Sequence, residues 1–561
     1  MSLSLQAYAP AALLLVGALV LLLRPNATIF VAVQAGTLVA LLRLSQLSAS
    51  TLTLAVYEPL PDVPLVLRLD RLSLFFATTA VAAALVVALP WIGDGARRLP
   101  LGWLVLAEFG TVGGILAGNL QGLAAGWGVF AAALMMQVLV PQPIGGELGR
   151  LSGVVTRTLV LYLAGAALML LAAVAIEAVS GTANYDAVPV GAIDGRIQGL
   201  LVTAPVLALA TIAGLLRACR RPATAAIMVT AVALPMSVYT LARTIDLAEG
   251  RVLPGAAGAA LILGAGLGAT VFGLYAMWAP DLGATIGRLL NSLALLLVAA
   301  YALGGSGGLV ALLVGFMSLE VVAGVALVLL DAGDGRLPGA GPAPTWVLGI
   351  LALLPLAGIG GLVLAMSLDA RLLVLRRLTE LGPIGYMLAL PLITAVVTIL
   401  AGSIAAGRFG GGRVSSRRRL AQLVLASAAL VGVELAAPVL RDLAVSLASG
   451  AARVSVADVR SASMAAVPGP LLGGALLVGV LGLVAAAAAR RDVYDVKDGV
   501  RQSPDLLPPP IAVTPEIVAR RVVTRGASRL GGGVRLAAAH PRWSMTLAWL
   551  AATSVVLFAA R

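Results

Sequence analysis

Residues 217–243 read RACRRPATAAIMVTAVALPMSVYTLAR, a charged Arg/Pro step leading into an apolar helix that ends in Tyr-Thr-Leu-Ala-Arg. Pro222 has no backbone N–H to donate, which suits it to the entry of a new helix. Arg217, Arg220 and Arg221 hold the preceding turn at a polar surface, where basic residues anchor membrane spans. The stretch therefore predicts the junction of two membrane-spanning helices.

The composition agrees. Of 561 residues, 60% are hydrophobic and only 11% are charged, and the mean hydropathy is +1.04. A water-soluble globule carries an apolar share near half and a charged share near a quarter, so the chain reads as a polytopic membrane protein. Cys219 is the single cysteine, which excludes an internal disulfide. No Cys/His cluster exists to ligate zinc, haem or an iron–sulfur centre, so no metal and no cofactor is expected. The +13 net charge is explained by cytoplasmic anchors between spans rather than by nucleic-acid binding. Lys497 is the only lysine and His540 the only histidine, both outside the apolar runs. A proton path through the membrane would have neither residue type to use.

Apolar runs near twenty residues long, enough to cross about 30 Å of hydrocarbon, cover 8–23, 27–44, 72–92, 101–117, 119–140, 157–179, 198–216 and 224–242. Others cover 255–278, 289–303, 309–330, 345–367, 384–406, 420–440, 467–489 and 543–560. They predict about sixteen helices, the first retained rather than cleaved because no basic leader precedes it. Residues 51–69 alternate apolar and polar around a Pro/Asp turn and predict a small extramembrane β-hairpin. In the linker 490–542, Thr514 as N-cap, Pro515 and Glu516 open a helix. Ile517, Val518, Val522 and Leu530 stand against Arg520, Arg521, Arg525 and Arg529, the pattern of an amphipathic helix on a membrane surface. Basic residues place that linker in the cytoplasm and both termini outside. The expected organisation is 1–98 with the hairpin, a core over 99–406, further helices over 407–489, the linker 490–542 and an anchor helix over 543–561.

Several segments in order resemble one family, the antiporter-like proton-translocating subunits of respiratory complex I, Mrp antiporters and membrane-bound hydrogenases. Leu69-Asp70-Arg71-Leu72-Ser73-Leu74 resembles the opening of the family's third helix, and Asn119-Leu120 with Trp127 its fifth. The loop Gly181-Thr182-Ala183-Asn184-Tyr185 follows the sixth helix, and Ala218, Pro222 and Val238–Arg243 resemble the seventh-to-eighth junction. Asp281 and Ser292 match the ninth-to-tenth step, while Leu356-Ala357-Gly358-Ile359-Gly360 with Ser367 and Asp369 resembles a broken twelfth helix. The resemblance implies an all-α membrane fold with two inverted five-helix repeats, the fourth to eighth and ninth to thirteenth spans. It implies partnership with other membrane subunits of a respiratory or hydrogenase-like complex in the inner membrane. The chain itself would be at most a non-catalytic subunit of a redox-driven NADH-quinone oxidoreductase or hydrogenase type of assembly.

The same resemblance exposes what is missing. The family's relay positions fall at Gly128, Pro205, Val229, Val325 and Leu368, none of which can carry a proton. The ionisable residues left at or near membrane depth are Glu108, Glu320 and Glu434, with Arg157 and Glu177 at the ends of the sixth span. A charge at a helix centre costs roughly 2.5–3.5 kcal/mol on insertion scales, so these glutamates should be neutral, paired or hydrated. Three readings follow: a displaced proton or sodium relay, a structural subunit that no longer conducts, or an unrelated secondary transporter.

Overall fold

The computed structural model describes residues 3–47, 51–60, 63–89, 100–139, 152–189, 191–219, 222–251, 253, 255–277, 279, 281–332, 337–338, 410–412, 432 and 436–450. Two helices, α1 (Leu3–Leu23) and α2 (Ala27–Leu47), precede a hairpin of β1 (Leu52–Leu60) and β2 (Val63–Leu69). The strands pair antiparallel from Leu52↔Leu69 to Leu60↔Val63, as their alternation predicts. Then follow α3 (Arg71–Ala88), α4 (Leu101–Leu116), α5 (Leu120–Leu139) and α6 (Ser152–Ser180). Among the described residues nine helices are long and apolar enough to cross a membrane, or ten if one bent pair is a single span. The predicted runs at 345–367, 384–406, 467–489 and 543–560 lie outside the described residues. So do the segments expected to form a broken twelfth helix and an amphipathic linker, and part of the expected second repeat.

The run at 198–216 predicts one straight helix, but the structure breaks it. Helix α7 (Gly195–Ala210) and helix α8 (Ile212–Ala218) meet at Thr211 with a 55° bend. Thr211 Oγ1 donates back to Leu207 O at 2.8 Å, and such back-bonding bends helices. The exposed break groups are answered by Asn291, whose Oδ1 accepts from Ala213 N at 2.8 Å and whose Nδ2 donates to Ala210 O at 2.7 Å. One amide side chain thus bridges both sides of the gap.

The run at 224–242 is also not a plain α-helix. It comprises α9 (Pro222–Ile227), a π-helical segment (Met228–Ala233) and α10 (Leu234–Leu247), which continues five residues past the predicted end. Pro235 explains the π segment: it has no N–H, and its ring would collide with the carbonyl four residues back in an α-helix. Leu234 donates instead to Val229 O, five residues back. The Thr230 carbonyl therefore receives neither the α-helical nor the π-helical donor. This composite span is buried from Thr224 to Leu247. Around it pack α3, α7 and two further helices, α12 (Leu282–Leu303) and α13 (Gly305–Ala332). Helix α11 (Gly255–Met277) lies against α12. Apolar side chains on α1 and α6, such as Val16, Leu19, Val160 and Val174, stay exposed as lipid-facing residues do.

Close helix contacts depend on small residues, the usual device where lipid removes the hydrophobic drive. A Cβ on Gly126 of α5 would stand 2.5 Å from Gly110 O on α4, and one on Gly287 of α12 only 3.2 Å from Ala213 Cα. Two predicted boundaries change. Helix α12 starts at Leu282, not near 289, because Asp281 caps it by accepting from Ala284 N at 2.6 Å. That brings Arg288 inside the helix, where it donates to Tyr275 O and lies over the Tyr275 ring. Starting inside the predicted run at 420–440 and ending nine residues past it, a short helix α14 (Ala437–Ser449) buries Ala444, Leu447 and Ala448 and packs on α13 and α3.

Candidate functional site

The densest chemistry among the described residues is a buried ionic cluster where the hairpin meets α3 and the end of α10. It begins with local rules. Asp70 caps α3: its carboxylate accepts from Ser73 N at 2.7 Å, and Ser73 Oγ accepts from Asp70 N at 3.1 Å, a reciprocal capping box. Arg68 stands two residues earlier on the same face of β2. On α10, Tyr239, Arg243 and Asp246 follow at helical spacings that share one face.

These pieces converge on Arg243, which is 1% exposed. Its Nη2 donates to Asp70 Oδ2 at 2.7 Å and its Nη1 to Asp246 Oδ2 at 2.9 Å, while Nε and Nη2 reach Tyr239 OH at 3.2 and 3.1 Å. Its guanidinium lies 5.3 Å from the Tyr185 ring centre and 5.2 Å from that of Tyr239, within cation–π range. Arg68 pairs with Asp70 at 2.9 Å and with Asp186 at 2.8 Å, and Asp186 is half-exposed and accepts from Thr53 Oγ1 at 2.5 Å. An alternating chain Asp246–Arg243–Asp70–Arg68–Asp186 thus runs from the interior to an exposed surface. Burial alone would raise the Asp70 carboxyl, but Arg243, Arg68 and the Ser73 N–H together hold it below the ordinary carboxylate value. Burial pushes the Tyr185 phenol well up.

The loop at 181–188 is tied in by main-chain bonds, Tyr185 N to Gly118 O at 3.0 Å and Leu120 N to Ala183 O at 3.1 Å, and by the Asn119↔Asn184 bridge. Trp127 Nε1 donates to Thr240 Oγ1 at 3.3 Å, linking α5 to α10. The sequence marks Arg243 only as the end of an apolar run and of the segment Val238–Arg243 that resembles the family's junction. That it is a centre rather than an anchor follows from its contacts with Asp70, 173 residues before it, and Asp246, 3 after it. Arg217, by contrast, is exposed, as an anchor should be.

The predicted site residues are not brought together. Glu108 on α4 is wholly buried against Gln34 of α2, whose Nε2 donates to its Oε2. Glu320 on α13 is 7% exposed, and neither carboxyl oxygen has a hydrogen-bond partner among the described residues. It shares a face with Phe316, which meets Phe76 of α3 at 4.7 Å between ring centres, and Gly324, whose added Cβ would lie 3.9 Å from Thr230. That face points at α3 and the π segment. Glu177 ends α6 half-buried and accepts from Gln121 Nε2 at 2.8 Å, while Arg157 is part-buried near the start of the same helix. Glu434 and Leu368 lie outside the described residues. Of the relay positions, Val229 is fully buried in the π segment, Pro205 lies inside α7 and Val325 is buried on α13. Gly128 on α5 has open space where a side chain would begin. Among the described residues no group of three or more His, Cys, Asp or Glu could hold a metal ion.

No protein-family model and no curated protein matches the sequence. Solved structures do. A chain in the Mrp complex from Dietzia sp. DQ12-45-1b superposes with a TM-score of 0.71 at 17% identity, over 95% of this chain and 60% of that one. A chain of the membrane-bound sulfane sulfur reductase, an archaeal respiratory membrane complex, gives 0.62 at 19% identity over 89% and 86%. A chain of respiratory complex I from Thermus thermophilus with bound NADH gives 0.60 at 19% identity over 79% and 99%. The chain therefore spans about 60% of the length of the Mrp chain. It shares the mostly helical fold of these antiporter-like chains, with a small two-stranded sheet.

Proposed function

We propose that this chain, built on the antiporter-like fold, is an integral subunit of a multi-subunit complex of the complex I, Mrp or hydrogenase kind. In such an assembly redox chemistry in other subunits drives proton or sodium movement, and this chain lies on or beside the ion route without holding a redox cofactor. The complex would sit in the inner membrane, with both termini outside and the linker 490–542 in the cytoplasm.

The observation that carries this reading is the α9–π–α10 span, buried from Thr224 to Leu247, with a main-chain carbonyl freed at Thr230, next to the bent α7–α8 pair. Irregular backbone at membrane depth is tolerated where it is enclosed by protein or lines a hydrated cavity. Since Val229 occupies the position of the family's relay residue, the proton function passes to other carboxyls. Glu320 is the first candidate, facing the π segment with no hydrogen bond to either oxygen among the described residues, and Glu434 and Glu108 are the others. An intramembrane carboxyl of this kind is a functional hypothesis by default.

Proton uptake by vesicles bearing the whole complex tests it, with Glu108, Glu320 and Glu434 changed singly to Gln. Loss of uptake in Glu320→Gln supports the displaced relay. Unchanged uptake in all three overturns it and leaves the second reading, a non-conducting structural subunit. Gly128, Pro205, Val229 and Val325 favour that second reading, because none can exchange a proton. Purification in mild detergent should recover the chain with other membrane subunits; transport of a substrate by the isolated chain would instead favour a free-standing transporter.

A further inference from the structure

A carboxyl and a carboxamide face each other between α2 and α4. On α2, Phe30, Gln34, Thr37, Leu41 and Leu44 are buried, a spacing of four and three that marks one packed face. Gln34 interrupts this face with a primary amide, fully buried, as is Glu108 opposite it. One contact is plain: Gln34 Nε2 donates to Glu108 Oε2. The other two oxygens of the pair, Gln34 Oε1 and Glu108 Oε1, are both buried with no hydrogen-bond partner among the described residues.

Two unanswered oxygens on two groups already in contact have a simple chemical remedy. An ionised carboxylate only accepts, and so would leave the amide oxygen unpaired; a carboxylic acid has one O–H to donate. With the proton on Glu108 Oε1, the acid donates to Gln34 Oε1 while the amide donates to Glu108 Oε2. Both orphans are then satisfied and the site carries no charge.

Among the described residues no cation stands in for that proton. Helix α5 carries no ionisable residue, nor does the π segment, and α1 has only Tyr8. The single arginines of α2 and α3, Arg43 and Arg71, are exposed. The ionisable residues of β2 and α10, Arg68, Tyr239, Arg243 and Asp246, are engaged with one another and with Asp70.

We propose that Glu108 and Gln34 form a reciprocal acid–amide pair, a neutral proton-binding site that fixes the register of α2 on α4. A buried polar pair on an otherwise apolar face is the device that specifies register in packed helices. Sliding α2 by one turn would face an amide against hydrocarbon and leave a protonated acid without an acceptor. The pair binds its proton whether or not Glu108 also passes one on, so its test reads spectrum and stability rather than transport.

Infrared spectroscopy of the full chain in membranes at neutral pH, with Glu108→Gln, Glu108→Leu, Gln34→Leu and the Gln34→Leu/Glu108→Leu double variant, decides the matter. Glu108→Gln should remove one protonated-carboxyl C=O band, and Gln34→Leu should move that band to higher wavenumber, because the acid loses both partners. Each leucine variant should lower the melting temperature, and the double variant should melt above the sum of the two losses, since it leaves no group unpaired. Loss of a carboxylate band in Glu108→Gln, or of no band, overturns the proposal, and so does strict additivity of the leucine variants. If a leucine variant fails to fold, the Glu108→Gln spectrum decides alone.

Discussion

Arg243 and Asp70 lie 173 residues apart in sequence and meet at 2.7 Å, both almost wholly buried. The pair joins the first residue outside the hairpin to the last turn but one of the central span. Its fork is completed by Asp246 and Tyr239, so the side chain is held on three sides. Removing one partner leaves an uncompensated buried charge, which costs about 3–5 kcal/mol. Arg243→Leu and Asp70→Leu should each lower stability by that order. The double variant should lose less than the sum, as double-mutant cycles on the detergent-solubilised complex would show. Arg243→Lys keeps the charge but not the fork, and should fall between wild type and leucine.

The same pair sets an acid limit. The folded-state Asp70 carboxyl lies below its ordinary value, whereas in the unfolded chain it sits near about 3.9. Its stabilisation is therefore fully present above about pH 4 and is lost as pH falls through the folded value. A melting-temperature profile should fall on the acid side for wild type and be flatter for Asp70→Asn. Tyr185 acts at the other end. Its folded-state phenol is raised by burial against about 10 when unfolded. Stability should decline above about pH 10, and less so in Tyr185→Phe.

Asn291 answers both sides of the Thr211 break. Asn291→Leu strands the Ala210 carbonyl and the Ala213 N–H, each at about 1–3 kcal/mol. Asn291→Asp, when ionised, still accepts from Ala213 but sets a buried charge against the Ala210 carbonyl, so it should not recover the loss at neutral pH. Hydrogen exchange across 211–214 should quicken in the leucine variant before any global melting is seen. Unchanged exchange there would mean that the break is held by packing alone.

Gly110 and Gly126 let the backbones of α4 and α5 touch. An added Cβ at either meets main-chain oxygen at 2.8 or 2.5 Å, and backbone cannot rotate aside. Either Gly→Ala variant should cost about 1–3 kcal/mol by overpacking. Gly128, one turn from neither contact, has nothing within 4 Å of its added Cβ. There Gly128→Ala should be neutral, or stabilise by about 0.5–1 kcal/mol through backbone entropy. Thermal unfolding of the three variants side by side checks the contrast.

What the sequence reveals is what depends on local pattern. The hairpin at 51–69 is legible from alternation, the spans up to 330 from apolar length, and the α12 start in hindsight from Asp281. What depends on contacts is hidden. Nothing at Thr211 marks a break, because neither Gly nor Pro stands there and the residue that repairs it lies 80 positions away at Asn291. The partner of Glu108 is 74 residues off. Arg243 closes an apolar run and so resembles an anchor, although the structure buries it. Helix α14 escapes because its 13 residues are too few to span a membrane and Arg441-Asp442 interrupt its apolar run.

The π segment has one more effect. An α-helix advances about 100° per residue, and a π-bulge behaves as a single inserted residue that the helix absorbs without lengthening by a full turn. Everything from Leu234 onward is therefore phase-shifted by one residue relative to Pro222–Ile227. Were residues 222–247 one uniform α-helix, Tyr239 and Arg243 would be turned about 100° away from Tyr185 and Asp70. The π segment that frees a carbonyl in mid-span is thus also what aims the ionic cluster at its far end. Deleting one residue within 228–233 would test this, since it should erase the bulge while leaving both flanking helices in phase.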